Sequence, residues 1–346
     1  MEHKFHHYVP QFYLKYFSNN GKSIGSYIFT NHKYVEHASI SEVCRKEFLY
    51  GDDLVIENWF RDLEGIWKKI IDDIIKNEKL ILNDETWTYL LMFFYLSDAR
   101  TEFIADSFTD LMTRTIRTSA KLKNKHMGWE LSDDKIEELQ LHIHKPNLIY
   151  IQNMPSITNI MSDLTPILLR NTSNWQFITS DCPVTIYNQL FANRNYIRNY
   201  GYGQIGIQCF LPISPRLCLV LIDSAVYSFN CDEYLVITIN EPDQIIELNK
   251  LFVNNARRAI YFNNSEKQWK IEKIAKLKKS RSNNFGNKVF GNEKQGYLIL
   301  HSKVSVHCKV KLPKFNIKPE FMSIPFPPHA AGPIRPTVIL AEDEDK

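Results

Sequence analysis

Several common chemistries are excluded by what the chain lacks. Its six cysteines, Cys44, Cys182, Cys209, Cys218, Cys231 and Cys308, contain no CxxC spacing, which argues against a zinc ribbon. Only twelve glycines are present and none cluster into a phosphate loop, so the Walker and dinucleotide patterns are missing. HExxH is absent too. Ser180 lacks the glycine-flanked elbow of a hydrolase nucleophile. No apolar run reaches the roughly eighteen residues of a membrane span. The formal charge of +3 is too small by itself to imply a nucleic-acid partner. The polar start Met1-Glu2-His3-Lys4 is unlike an export signal. The scattered cysteines are therefore expected to be reduced, buried thiols in a cytoplasmic protein.

What is present is enough to fold. Hydrophobic residues make up 44% of the 346 and aromatics 13%, so a substantial core is available and a disordered body is not expected. A hairpin is expected from Ser23–Phe29 and Tyr34–Val35. From Val55 onward, Ile56, Trp59, Phe60, Leu63, Ile66, Trp67, Ile70, Ile71, Ile74 and Ile75 recur at three- and four-residue steps, which predicts an amphipathic helix. Asp84 is expected to cap a second helix running to about Arg117, and Ser132-Asp133-Asp134 to open a third. Further helical pieces, punctuated by Pro146 and Pro155, are expected to end near Arg170.

The second half turns β-rich. Strands are expected at Trp175–Thr179, Val184–Tyr187, Ile205–Leu211, Leu217–Ile222 and Tyr234–Ile239. Ser214-Pro215-Arg216 makes a hairpin turn of the third and fourth. A helix with proline at its first position is predicted over Pro242–Tyr261, and closing strands at Tyr297–Leu300 and Val304–Val310. Helices followed by strands indicate an α+β fold, with a helix-rich N-terminal half packed on a mostly antiparallel sheet from the C-terminal half. Residues 1–314 are expected to form one globular domain. Residues 315–346, proline-rich and ending in Glu342-Asp343-Glu344-Asp345, read as an extended tail, of which residues 318–346 are expected to add no strand or helix to the core.

The most distinctive stretch is His6-His7-Tyr8-Val9-Pro10-Gln11-Phe12-Tyr13-Leu14-Lys15-Tyr16-Phe17. It resembles the opening of a family known only as domain of unknown function number 4238. The resemblance continues through Lys46-Glu47-Phe48-Leu49-Tyr50, Glu57 with Glu64, Arg100-Thr101, Thr179-Ser180-Asp181-Cys182-Pro183 and Asn254-Asn255-Ala256-Arg257. It spans roughly residues 3 to 265. Cys182 departs from the pattern, which more often has asparagine there. The family implies no reaction, so chemistry must be read from the residues.

His6 and His7 suit a metal site or a general base; on a strand they point to opposite faces, and the bland reading is a buried pair fixing the N-terminal segment. Glu57 and Glu64 project from nearly one helix face. Glu64 sits by the apolar stripe and calls for a partner or a metal; the bland reading is a structural salt bridge, for example to Arg100. Asp181 is placed either to hold a divalent cation or orient an imidazole, or to accept backbone amides in a capped turn. Asn254, Asn255, Arg257 and Arg258 suit either an anion or the last turn of a helix. The basic run from Lys267 to Arg281, including Lys270 and Lys273 and interrupted by Trp269, suits a polyanion, although such runs are commonly solvated helix faces.

The leading expectation is a hydrolase acting on phosphate esters, a phosphodiesterase or nuclease, with His6, His7, Glu64, Arg100 and Asp181 in its active site. Asn254, Arg257, Lys270 and Lys273 would bind substrate. His7 and Asp181 would hold a divalent metal (Mg, Mn or Zn), or a histidine alone would activate water, and arginine would stabilise phosphoryl charge. Nucleic acid is the first substrate class to test, and a toxin or antiviral defence effector is one role for such an enzyme. The alternative is a non-enzymatic module binding a nucleotide or protein, its tail docking a partner.

Overall fold

The computed structural model describes residues 4–51, 54–127, 132–192, 201–279, 286–292, 296–302, 309–310, 312–322 and 334–336. Strand β1 (Phe5–His7) leads through Pro10 into the short helix α1 (Gln11–Lys15), which buries Tyr13 and Leu14. The expected hairpin follows as β2 (Ser23–Ile28) and β3 (Lys33–Ser39). β4 (Arg45–Glu47) returns to pair antiparallel with β1, setting His6 opposite Lys46. Helix α2 (Val55–Asn77) buries Phe60, Leu63, Trp67, Ile71 and Ile74, the stripe legible in its spacing.

The next helix departs from expectation at both ends. Its cap is Asn83, not Asp84. The Asn83 side chain accepts from the Thr86 amide while the Thr86 hydroxyl accepts from the Asn83 amide, a capping box. Instead of continuing to Arg117, α3 (Asp84–Ala99) stops and α4 (Glu102–Met127) starts after two intervening residues, Arg100 and Thr101. Asn147 holds the break open, its amide donating to the carbonyls of Ala99 and Thr101, both at 2.9 Å. The Thr101 hydroxyl turns back to the Asp98 carbonyl. Carbonyls taken by a side chain are lost to the helix ladder. α5 (Asp133–Glu138) is capped by Ser132 as expected, and α6 (Asn147–Gln152) and α7 (Met154–Met161) follow.

Helical structure does not persist to Arg170: β5 (Thr165–Asn171) is a strand. It lies between two others and is largely buried, so its sequence is a short apolar run without alternation, ambiguous between helix and strand. Of Trp175–Thr179 only the end is regular, as β6 (Thr179–Ser180). The stretch before it is tied instead to Asn249, which donates to the Gln176 carbonyl and accepts from the Ile178 amide. β7 (Thr185–Tyr187), β8 (Gln208–Pro212), β9 (Leu217–Ile222), β10 (Tyr227–Ser228) and β11 (Val236–Ile239) come next. α8 (Pro242–Asn255) carries proline in its first turn as expected but ends before Tyr261, which lies in β12 (Ala259–Phe262). α9 (Gln268–Ala275), the hairpin of β13 (Gly286–Asn292) and β14 (Gly296–Ser302), β15 (Asn316–Ile317) and α10 (Pro319–Met322) complete the described elements.

The main sheet has the order β11-β5-β9-β8-β7; only its β11–β5 pair is parallel. A second sheet, β3-β2-β12-β6, joins the N-terminal hairpin to strands from the second half. Alternation along β5 separates two cores. Leu168 faces the helical layer of α1, α2 and α3, whereas Ile167 and Leu169 face α8 and α9. The fold is α+β, with mostly antiparallel sheets and a helix-rich first half. Cys44, Cys182, Cys209 and Cys218 are buried free thiols. Among the described residues no helix is long and apolar enough to cross a membrane.

The expectation of a detached tail needs correction where the tail is described. Phe315 is buried in the second core, and β15 pairs antiparallel with β10. Farther on, Arg335 enters the body. Its guanidinium forks onto Asp163 at 2.8 and 2.9 Å and donates to the carbonyls of Ile160, Tyr202 and Gln204. Proline density in the sequence gives no hint of these anchors. Residues 323–333 and the acidic end lie outside the described residues, as do most of the expected strand Val304–Val310 and Arg281 of the basic run. Removing one member of a buried ion pair strands the other, commonly at about 3–5 kcal/mol. Asp163 is partly exposed, so Arg335→Ala is expected to lower unfolding free energy by about 3 kcal/mol in urea titrations; an unchanged midpoint would show that this anchor is not structural.

Candidate active site

Arg100 sits at the α3–α4 break and is fully buried. Its Nη1 donates to Glu64 Oε1 at 2.9 Å, the pairing expected from sequence. The guanidinium carbon lies 4.7 Å from the centre of the Phe60 ring. Phe60 packs on Tyr50, and Tyr50 stacks on His6, with ring centres 5.6 Å apart and planes 8° from parallel. The Tyr50 amide donates to His6 Nδ1 at 3.2 Å, placing any ring proton of neutral His6 on Nε2. Arg100 Nε and Nη2 and the Tyr50 hydroxyl are buried and have no hydrogen-bond partner among the described residues. Leaving such donors unmatched costs about 1–3 kcal/mol each.

Two acid–base groups border this cluster. Burial, with the neighbouring charge of Glu64, lifts the Glu57 carboxyl above its ordinary 4.5, while Arg100 and Arg61 oppose the shift. Burial also pushes the His7 imidazole below its ordinary 6.5; Arg45 and Arg100 add to that, and a hydrogen bond to the Ser41 carbonyl opposes it. His7 Nε2 donates to that carbonyl at 3.3 Å, and the Gln11 amide approaches the ring at 3.4 Å. Burial raises the Tyr50 phenol far above the physiological range, so it stays a proton donor. His6 is buried and His7 partly exposed, the opposite-face arrangement expected of strand neighbours.

Asp181 belongs to a second assembly. Oδ1 accepts from the Arg257 amide at 2.8 Å and Oδ2 from the Arg258 amide at 2.7 Å. This is the capped-turn alternative, and it explains why α8 stops. Those two amides would otherwise extend the helix, while Lys278 takes the carbonyls of Val253 and Ala256. Asn255 donates to the carbonyls of Cys182 and Val184, both at 2.8 Å. Asn254 bonds the Lys250 and Leu277 carbonyls and the Lys279 amide. Arg257 pairs with Asp106, and Arg258 with Glu102, which also meets Lys46. The thiol of Cys44 donates to the Tyr261 hydroxyl beneath this assembly.

The expected residues therefore divide. His6, Glu64 and Arg100 gather in the first cluster through Tyr50 and Phe60, and His7 stands beside it on the other face of β1, near enough to feel the Arg100 charge. Asp181, Asn254 and Arg257 are spent on framework bonds in the second. Lys270 and Lys273 stand elsewhere, over the Trp175 ring. Asp181 offers both oxygens to amides, and among the described residues no group of three or more His, Cys, Asp and Glu is placed to hold a metal ion. The donor set does not fit the divalent metal expected on His7 and Asp181. Glu57 and Tyr50 were not among the expected site residues. Their signal was present in the Phe48-Leu49-Tyr50 step and in the seven-residue spacing of Glu57 from Glu64.

A family model described as a protein of unknown function, DUF4238, matches residues 6–266. The chain belongs to the DUF4238 family. The Arg100 cluster and the Asp181 clamp on Arg257 and Arg258 of this DUF4238 protein fall within the matched span, whereas Leu277, Lys278, Lys279, β15 and Arg335 lie beyond it. No curated protein and no solved structure matches the chain.

Two outcomes test these assignments. Asp181→Asn replaces one acceptor with a donor facing an amide, so unfolding free energy should fall by about 2 kcal/mol; no loss in chemical denaturation would contradict the clamp. For His7, the folded pKa lies below the unfolded 6.5. Between the two values only the unfolded chain binds the proton. Its contribution is thus complete above 6.5 and is lost as pH falls toward the folded value. His7→Gln should flatten that part of the stability–pH curve, measured by urea titration at stepped pH.

Proposed function

We propose that this DUF4238 protein is a cytoplasmic hydrolase of phosphate esters, with its site at Arg100, Tyr50, Glu57, Glu64 and His7. The observation that carries the reading is Arg100, a buried guanidinium with one nitrogen on Glu64 and two nitrogens unmatched among the described residues. A planar fork of this kind suits the paired oxygens of a phosphoryl group. Tyr50 supplies a further donor, and Glu64 keeps the fork oriented. His7, whose imidazole burial shifts toward its neutral form, accepts a proton from the attacking water as a P–O bond forms. Glu57, whose carboxyl is held toward its protonated form, donates a proton to the departing alcohol oxygen as the ester P–O bond breaks. The balance is ester plus water giving phosphate and alcohol, with the charge on the non-bridging phosphoryl oxygens met by Arg100.

A second reading is favoured by the depth of Arg100 and its Glu64 pair. In it the same residues form a binding module that holds a phosphorylated ligand without turning it over.

Glu57→Gln decides between them, because Glu57 is only partly buried and the change is isosteric. With a chromogenic phosphate monoester and diester as substrates, kcat should fall about a hundredfold or more while the melting temperature holds. Inorganic phosphate should raise the melting temperature of the wild type but not of Arg100→Lys. Phosphate binding without turnover in the wild type supports the module. Neither binding nor turnover removes both readings.

A further inference from the structure

Trp269 is the largest exposed hydrophobic side chain on α9, at 55% exposure. It is not an isolated surface residue. Its ring meets the buried Trp175 edge-on, 5.9 Å between centres at 87°. Trp175 is itself fixed, with the amines of Lys270 and Lys273 at 5.0 and 5.4 Å from its ring. The Lys270 amine is further tied to Glu266 and to the Asn174 carbonyl. The exposed indole therefore stands on a braced base, which lowers the entropy lost when a flat partner stacks on it.

Its surroundings are cationic. Residues 266–279 hold six lysines and two glutamates, a net +4 against +3 for the whole chain. Glu266 is buried and paired with Lys270, and Glu272 is bonded by Gln268. Lys273 and Lys276 lie four and seven residues beyond Trp269, on the same helix side. Both are exposed, as are Lys267 and Lys279. An exposed indole with exposed lysines on the same helix side suits a splayed base and its backbone. A duplex hides its base faces. A membrane surface would call for more exposed apolar residues than the one this helix presents.

We propose that the Trp269 face, with Lys267, Lys273, Lys276 and Lys279, binds single-stranded nucleic acid. This surface shares no residue with the Arg100 cluster, and its binding does not depend on turnover there.

The full-length protein is titrated into a fluorescein-labelled oligothymidylate and a matching oligouridylate, with a duplex of the same length and anionic phospholipid vesicles as competitors. Trp269→Ala should weaken binding by about 5- to 150-fold, the loss of one base stack at about 1–3 kcal/mol. Trp269→Phe should recover part of it, and melting temperatures should stay level because the ring is exposed. Lys273→Gln with Lys276→Gln should reduce the slope of log Kd against log salt by about 1.4. Glu57→Gln should bind as the wild type does, so loss of hydrolysis and loss of binding are separable. Wild-type affinity retained in Trp269→Ala, equal competition by duplex or vesicles, or no binding to either oligonucleotide overturns the proposal.

Discussion

A guanidinium held out of water constrains much of the N-terminal half. Arg100 is fully buried, and a buried charge is tolerable only with an opposite charge and hydrogen bonds around it. Glu64 meets that need from α2, so the pair fixes α2 against the end of α3. Placing the side chain there requires the chain to turn, and the turn is secured from three sides. Asn147 reaches in from α6, Thr101 caps its own restart, and Tyr202 donates to Asp98 one turn earlier. The Tyr202 carbonyl in turn receives Arg335 from the C-terminal segment. A strap far away in sequence is thus bonded to the segment that buttresses the break.

The second constraint is the clamp between Asp181 and the end of α8. By taking two consecutive amides it ends the helix and directs the chain into β12, which lies between β2 and β6. The N-terminal hairpin is joined to the C-terminal half through that one strand. Both motifs involved, Thr179–Pro183 and Asn254–Arg257, are polar and would suit a catalytic centre. Their chemistry is instead consumed internally, because every polar group at such a junction must find a partner once buried.

This division changes what the candidate site asks of its residues. Both Asp181 oxygens face backbone amides, and the groups around Arg100 are an imidazole and carboxylates bordering an anion fork. His7 and Glu57 are shifted in opposite directions by the same cause, loss of water, since burial disfavours imidazolium and carboxylate alike. The two shifts bring the pKa values of an imidazole and a carboxyl closer together beside one cation, the pattern by which burial tunes acid–base pairs.

The sequence by itself determined the α+β class, the apolar stripe of α2, the β2–β3 and β8–β9 hairpins and the proline start of α8, and it offered Arg100 as one partner for Glu64. Each follows from local periodicity, turn chemistry or the need of a near-core carboxylate for a partner. Only the tertiary structure decided that β5 is a strand, that one predicted helix is two, that Tyr261 leaves its helix for a sheet, and that Asp181 serves the backbone. Those outcomes turn on partners distant in sequence: β9 and β11 beside β5, Asn147 at the Arg100 break, and Asp181 at the amides of Arg257 and Arg258. A residue's own neighbours along the chain carry its preferences. Which preference wins is set by the groups that burial brings against it, and those groups are known only when the chain has folded.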